Sequence, residues 1–244
     1  MISCAAAEGS SPFTGYSYNE SVKAFEKAEP EENREANLFF NLFDVSRSGP
    51  LRDLVRQLLY NGQSAEEYAR QKSRAWKKDY RESAANNPGY VMDWNYDEEH
   101  SLASAGTFAV ITVSISEFTG GAHPNWFQTS HVLDLETPRR LGLDDIISQA
   151  GFPNLYTFID RELRLLSEEK SGEVLPPRAP LSDGIFFEDS ILPGDFYPSG
   201  EGLCFQWDPY EIAPYTYGGI EITLGWQELG LSPEGESLSA AFGD

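Results

Sequence analysis

The pattern of apolar positions divides the chain into a helical first part and a strand-rich remainder. The run Ala36-Asn37-Leu38-Phe39-Phe40-Asn41-Leu42-Phe43 is a strand candidate, and residues 13–25, rich in Tyr, Phe and Ser, form a second that could pair with it. Between them a Glu/Lys/Pro patch reads as a loop. Leu51, Leu54, Val55, Leu58 and Leu59 then recur at helical spacing until Asn61-Gly62 stops them. Ser64-Ala65-Glu66-Glu67 is a capping box, in which hydroxyl and carboxylate satisfy exposed backbone donors reciprocally. The helix it opens carries Tyr68, Ala69, Ala75, Trp76 and Tyr80 on one side, a face that reads as core.

After Asn86-Asn87-Pro88-Gly89 the period falls from about 3.6 to about 2. Residues 90–96, 107–118 and 126–135 read as strands, and Asp144-Asp145 suits the start of a short helix because carboxylates complement its dipole. Leu155, Phe158, Ile159, Leu163 and Leu166 predict a longer helix ended by Lys170-Ser171-Gly172. Residues 184–190, 202–207 and 220–226 read as further strands. Strands joined by short turns predict an α+β fold: an antiparallel β-sheet with helices packed on one face, preceded by a smaller strand-plus-helices segment. The organisation expected is a tether over 1–12, an N-terminal subdomain over 13–88, a β-rich domain over 89–232 and a flexible acidic tail over 233–244.

Charge is distributed unevenly. Residues 1–85 hold 12 basic and 13 acidic side chains, whereas residues 86–244 hold 6 basic and 26 acidic, a net charge of −20. No Lys or Arg occurs from Leu181 onward. Such a field repels phosphate backbones, which excludes nucleic acid as a partner, and draws cationic molecules inward at low salt. The same acidity also serves solubility alone.

Cys4 and Cys204 are the two cysteines, too few for a disulfide framework or a thiolate metal site. Cys204 reads as a strand cysteine. Ile2-Ser3-Cys4-Ala5 looks like the end of a bacterial lipoprotein cleavage site, so Cys4 is the candidate lipidation position, the basic and apolar parts of such a leader lying upstream of Met1. No apolar run is long enough to span a bilayer.

Catalytic signatures are missing. There is no Gly-x-Ser-x-Gly elbow, and Gly120-Gly121 is followed by Ala-His-Pro instead of a phosphate-binding Lys-Ser. His123, His131 and Asp134 match no metal-ligand spacing. No catalytic residue, metal or cofactor is therefore assigned, although a hydrolase of unrecognised type would place His123 beside a carboxylate in a deep pocket.

Two segments stand out: Phe118-Thr119-Gly120-Gly121-Ala122-His123-Pro124-Asn125, and the aromatic run from Trp207 through Pro209-Tyr210-Glu211-Ile212-Ala213-Pro214-Tyr215 to Tyr217-Gly218-Gly219. In this order, with Asp134-Leu135-Glu136-Thr137-Pro138 between them, they resemble the RsiV-like C-terminal domain of unknown function over residues 90–230. Pro138 stands where that family usually has glycine. Residues 13–85 resemble the segment that often precedes the domain. The resemblance implies an extracytoplasmic, lipid-anchored recognition protein whose partner is a cationic protein such as lysozyme, or a cell-wall glycan. The binding candidates are His123, Asn125, Tyr210, Glu211, Tyr215 and Tyr217. For the glycine loop the competing expectation is a tight turn with His123 bonded to backbone. For the tyrosines it is an aromatic corner packing the final strand.

Overall fold

The structure is a computed structural model and describes residues 12–24, 34–189 and 191–243. Alternation in the strand candidate that begins at Ala36 places Ala36, Leu38, Phe40 and Leu42 on a buried face and Asn37, Phe39 and Asn41 outside. This strand, β2 (Glu35–Val45), pairs antiparallel with β1 (Phe13–Lys23) along its whole length. Helices α1 (Pro50–Tyr60) and α2 (Ala65–Asn86) follow, then β3 (Trp94–Ala105), which runs parallel to β2. A parallel pair needs a long crossover, and the two helices supply it. Strands β4 (Phe108–Phe118), β5 (Asn125–Asp134) and β6 (Arg139–Leu141) complete a sheet of order β1-β2-β3-β4-β5-β6. After α3 (Leu143–Ile146) and α4 (Phe152–Ser171) comes a second sheet, β7 (Asp195–Pro198), β8 (Gly202–Trp207) and β9 (Ile220–Gly225), and then α5 (Pro233–Phe242). The fold is mixed α+β, with the β2–β3 pair parallel within a mostly antiparallel sheet.

The chain forms two compact units, one of residues 1–101 with 113–128, the other of residues 102–112 with 129–244. In the first, Leu38, Phe40 and Leu42 pack with Tyr60, Ala69, Trp76, Tyr80 and Tyr96. Ser64 caps α2 as predicted, receiving the Glu67 amide while the Glu67 carboxylate receives the Ser64 amide. The buried stripe of α2 runs through Ala69, Ser73, Trp76 and Tyr80; Ala75, expected on it, is exposed because the i, i+4, i+3 spacing selects Ser73 instead. Ser73 has a partner: its hydroxyl donates to Glu20 of β1. Lys77, one turn on, donates to the same carboxylate at 2.5 Å, and Tyr18 donates to it at 2.5 Å.

Beneath α1 and α2 lies a chain of buried polar groups. Tyr60, at the end of α1, donates its one proton to the Phe43 carbonyl at 2.5 Å. The phenol oxygen therefore accepts at its 3.1 Å contact with Nδ1 of His100. Nε2 of His100 faces Oε1 of Glu98 at 2.9 Å, and the other Glu98 oxygen accepts from Tyr68 at 2.9 Å and Tyr96 at 2.6 Å. Burial opposes ionisation of Glu98, but hydrogen bonds from His100, Tyr96 and Tyr68 outweigh it and hold the carboxyl below its usual range. His100 is thus held between the Tyr60 phenol on one side of its ring and the Glu98 carboxylate on the other. Sequence reading ended this strand at Tyr96. In fact β3 begins at Trp94 and continues through Asp97-Glu98-Glu99-His100, alternate members of which find partners inside.

In the second unit, Leu155, Ile159 and Leu163 of α4 meet Leu203, Phe205 and Trp207 of β8 and Ile220, Ile222 and Leu224 of β9. Every residue of β8 is buried, as for a strand covered on both faces. Of residues 184–190, expected as a strand, the described ones, 184–189, form none. Leu181–Asp183 is a single 3-10 turn, and Gly184 passes so close to α4 that a Cβ there would lie 2.3 Å from Oγ of Ser167. Ile185 and Phe186 enter the core from this irregular stretch, and β7 pairs with β8 further on. Residues 233–242, read from sequence as part of a tail, form α5: Ser232 caps it, Leu238 is fully buried, and Glu234 joins Asp145 on Arg139.

Two predictions follow from the first unit. Removing one phenol oxygen, Tyr60→Phe, leaves the Phe43 carbonyl and His100 Nδ1 without this partner and should cost ~2–3 kcal/mol, whereas Glu98→Gln replaces a buried carboxylate contacted by three side chains and should cost ~3–5 kcal/mol. Urea midpoints at unchanged m-value measure both. The ordering fails if Glu98→Gln is the milder change. The second concerns acid. Burial raises the pKa of Glu20, but hydrogen bonds from Lys77, Ser73 and Tyr18 lower it overall from 4.5 to about 2. Its contribution is thus present above the unfolded-state value and lost as pH falls through that value toward about 2. Discounted for solvent screening, it amounts to ~1–2 kcal/mol. Lys77→Met should remove most of this acid-dependent slope, measured by thermal unfolding between neutral and acid pH; an unchanged slope would refute the assignment.

Candidate functional site

The aromatic run after β8 begins with a tight turn. The Glu211 amide donates to the Asp208 carbonyl at 3.0 Å, and Pro209 occupies the second position, where its fixed φ is suited. Tyr210 occupies the third with φ +72°, a left-handed conformation that normally selects glycine or asparagine. The Glu211 carboxylate closes the turn by accepting from the Asp208 amide at 2.8 Å. Ile212 and Ala213 then plug into the core, and the Ile212 carbonyl accepts from the Phe187 amide at 2.9 Å. Pro214 starts a 3-10 turn over Tyr215–Tyr217, ended by Gly218 at φ +72°.

With its centre anchored, the run presents its aromatic ends. The rings of Tyr210 and Tyr215 lie 5.3 Å apart at 36°, and Tyr210 is 56% exposed. Tyr217 lines a cleft of about 580 Å³ with Ser167, Lys170, Glu173, Asp183 and other residues. Glu211 is exposed beside the tyrosine pair.

The electrostatic setting is the acidic second unit, whose residues include 6 basic and 21 acidic side chains, a net of −15. Of the six cations, Arg139 is engaged by Asp145 and Glu234, Arg161 by Glu162 and Glu228, and Arg164 by Asp160. Half of the positive charge is thus tied up internally, and the 181–244 stretch that carries the tyrosines has none. An exposed ring stacked beside a half-buried one, with a carboxylate next to it in such a field, can hold an ammonium or guanidinium group through its face and its charge.

The glycine loop belongs to the first unit. Gly120 and Gly121 adopt φ +104° and +112°, and His123 is half-buried with Nδ1 at 3.1 Å from the Pro124 carbonyl. The ring is held against its own loop, as expected for a tight connection. Asn125 is exposed and opens β5. The structure therefore brings Tyr210, Glu211 and Tyr215 together and leaves His123 and Asn125 in the other unit. Cys4 lies outside the described residues, and Cys204 is buried in β8 with Sγ 3.1 Å from the Thr223 hydroxyl. Among the described residues no three His, Cys, Asp or Glu side chains converge as a metal site requires, and no helix is long and apolar enough to cross a membrane. Asp134 instead accepts the amides of Glu136 and Thr137, closing the turn into β6.

Sequence reading missed the carboxylate–imidazole–hydroxyl order of Glu98, His100 and Tyr60. It mimics a catalytic relay, but the hydroxyl is fully buried and already donates to backbone, so it has no proton to exchange with a substrate.

Residues 144–227, from α3 through β9 and including the whole aromatic run, match the model of a family described as a protein of unknown function, DUF3298. The fold is similar to a crystal structure of a DUF3298 family member from Bacteroides fragilis NCTC 9343, with a TM-score of 0.72 and 21% identity over 93% of this chain and 98% of that one. A DUF3298 family protein from Pseudomonas aeruginosa PAO1 is also similar, with a TM-score of 0.56 and 14% identity over 91% and 96% of the two chains. At these identities the likeness is one of fold. No curated protein matches the chain.

The left-handed Tyr210 gives a direct prediction. Tyr210→Gly relieves a conformational cost of ~1 kcal/mol and should leave the melting temperature unchanged or raised. Differential scanning calorimetry decides: a clear drop would mean that the ring supports the fold.

Proposed function

We propose that this chain is an extracytoplasmic recognition protein, lipid-anchored through Cys4, that binds a cationic protein of lysozyme type through the acidic second unit. The observation that carries the reading is the exposed Tyr210 ring, 5.3 Å from the half-buried Tyr215 ring and next to Glu211, in a stretch without a single Lys or Arg. A residue kept in a strained left-handed turn, exposing a large ring, is the kind of local cost that accompanies a binding role. Tyrosine supplies wide contact area at small entropic loss, and the surrounding negative field accelerates encounter with a positive surface. The resemblance of the two motifs to the RsiV-like domain points in the same direction.

Calorimetric titration with a cationic lysozyme, at low and at physiological salt, tests the proposal. Binding should weaken as salt rises, and an acidic protein of similar size should not bind. Tyr215→Ala should cost ~2 kcal/mol of binding energy and Glu211→Gln ~1 kcal/mol. Absence of heat at both salt concentrations would sink the lysozyme version, and salt-independent binding untouched by either variant would remove the electrostatic one.

A further inference from the structure

We propose that the outer face of the β1-β2-β3 sheet is a second binding site, for an uncharged glycan chain, independent of the acidic unit. Register places three rows across this face: Ser21, Asn37 and Asn95; Asn19, Phe39 and Asp97; Ser17, Asn41 and Glu99. All nine are exposed, none is Lys or Arg, and Phe39 sits at the centre with 38% of its surface in solvent. Asn19, Asn37, Phe39, Asn95 and Asp97 line a cleft of about 440 Å³ on the same face.

The composition runs against what strands prefer. Asn and Asp are depleted in strands, and a solvated face is ordinarily built from Thr, Lys, Glu or Arg, yet here five of nine positions are Asn or Asp. Alternation also turns a phenylalanine outward at the middle of a polar surface. Local rules broken together at one place point to a purpose other than folding.

The chemistry selects the ligand. Side-chain amides and carboxylates offer a donor and an acceptor, or two acceptors, at the spacing of neighbouring sugar hydroxyls. A flat aromatic ring at their centre covers the C–H face of a pyranose. The Asn37 amide already reaches Asn95 at 3.4 Å, so the amides stand in a ladder along which successive residues of a chain could lie. The nearest cation on this face by register, Lys23, lies in the next row opposite Glu35, so Asp97 and Glu99 leave the three rows negative and repel uronic acids and phosphates. The occupant is therefore a neutral or N-acetylated oligosaccharide.

Titration of the full chain with cellohexaose and chitohexaose, and with an alginate oligomer as the anionic probe, tests this. At least one neutral probe should bind at millimolar concentration and alginate should not. Phe39→Ala should weaken that binding about tenfold. The double variant Asn37→Thr with Asn95→Thr should abolish it while thermal stability holds or rises, because threonine suits a strand better. The proposal falls if neither neutral probe binds, if alginate binds as well, if Phe39→Ala leaves affinity unchanged, or if the double variant is destabilised. Loss of lysozyme binding in Phe39→Ala would also overturn it, assigning the face to a protein partner.

Discussion

A carboxylate with almost no access to water cannot stay ionised unless the protein replaces the water, and Glu98 imposes this demand on the whole first unit. Its three hydrogen-bond donors come from β3 itself and from α2, while His100 passes the connection through Tyr60 to the carbonyl of Phe43. One charge thus fixes the end of α1, the first turn of α2, and the parallel register of β2 beside β3. The near-parallel stacking of Tyr60 on His100, at 8° and 5.6 Å, leaves little freedom for a shifted arrangement. Hydrophobic packing alone would accept several positions of two helices on a sheet. A polar network with fixed donors and acceptors accepts far fewer.

Much of this architecture was legible in the amino-acid sequence, for physical reasons that also mark the limits. The β2 alternation, the Ser64–Glu67 box and the apolar stripe of α4 are local, so a one-dimensional pattern carries them. The run Asp97-Glu98-Glu99-His100 looks like a loop because its stabilising partners, Tyr60 and Tyr68, lie thirty or more positions away in sequence. Residues 184–189 misled in the opposite direction: apolar enough for a strand, they follow a 3-10 turn and begin at Gly184, which packs on α4. At the candidate site, nothing in the local sequence marks Tyr210 for the left-handed position of its turn, which glycine or asparagine normally takes.

The two units answer different surface problems. In the second, cations are consumed by specific ion pairs, Arg139 alone bridging the start of α3 and the start of α5, so that the remaining surface stays negative without losing internal order. In the first, the crossover helices carry a basic excess, 8 Lys or Arg against 5 Asp or Glu over residues 50–86, while the three central rows of the outer sheet face hold no Lys or Arg and rely on amides. Segregating the two chemistries allows a long-range field on one unit and short-range hydrogen bonding on the other.

The division of the chain between the units is interleaved: residues 102–112 leave the first unit, and residues 113–128 return to it. During synthesis the first unit therefore cannot close until residue 128 has emerged, although its helices and first strands are available much earlier. Any shortened version ending between β3 and β5 would carry a sheet with an unfinished edge. Such an edge invites pairing with another chain, so the order in which the segments appear is itself a constraint on how this protein reaches its folded state.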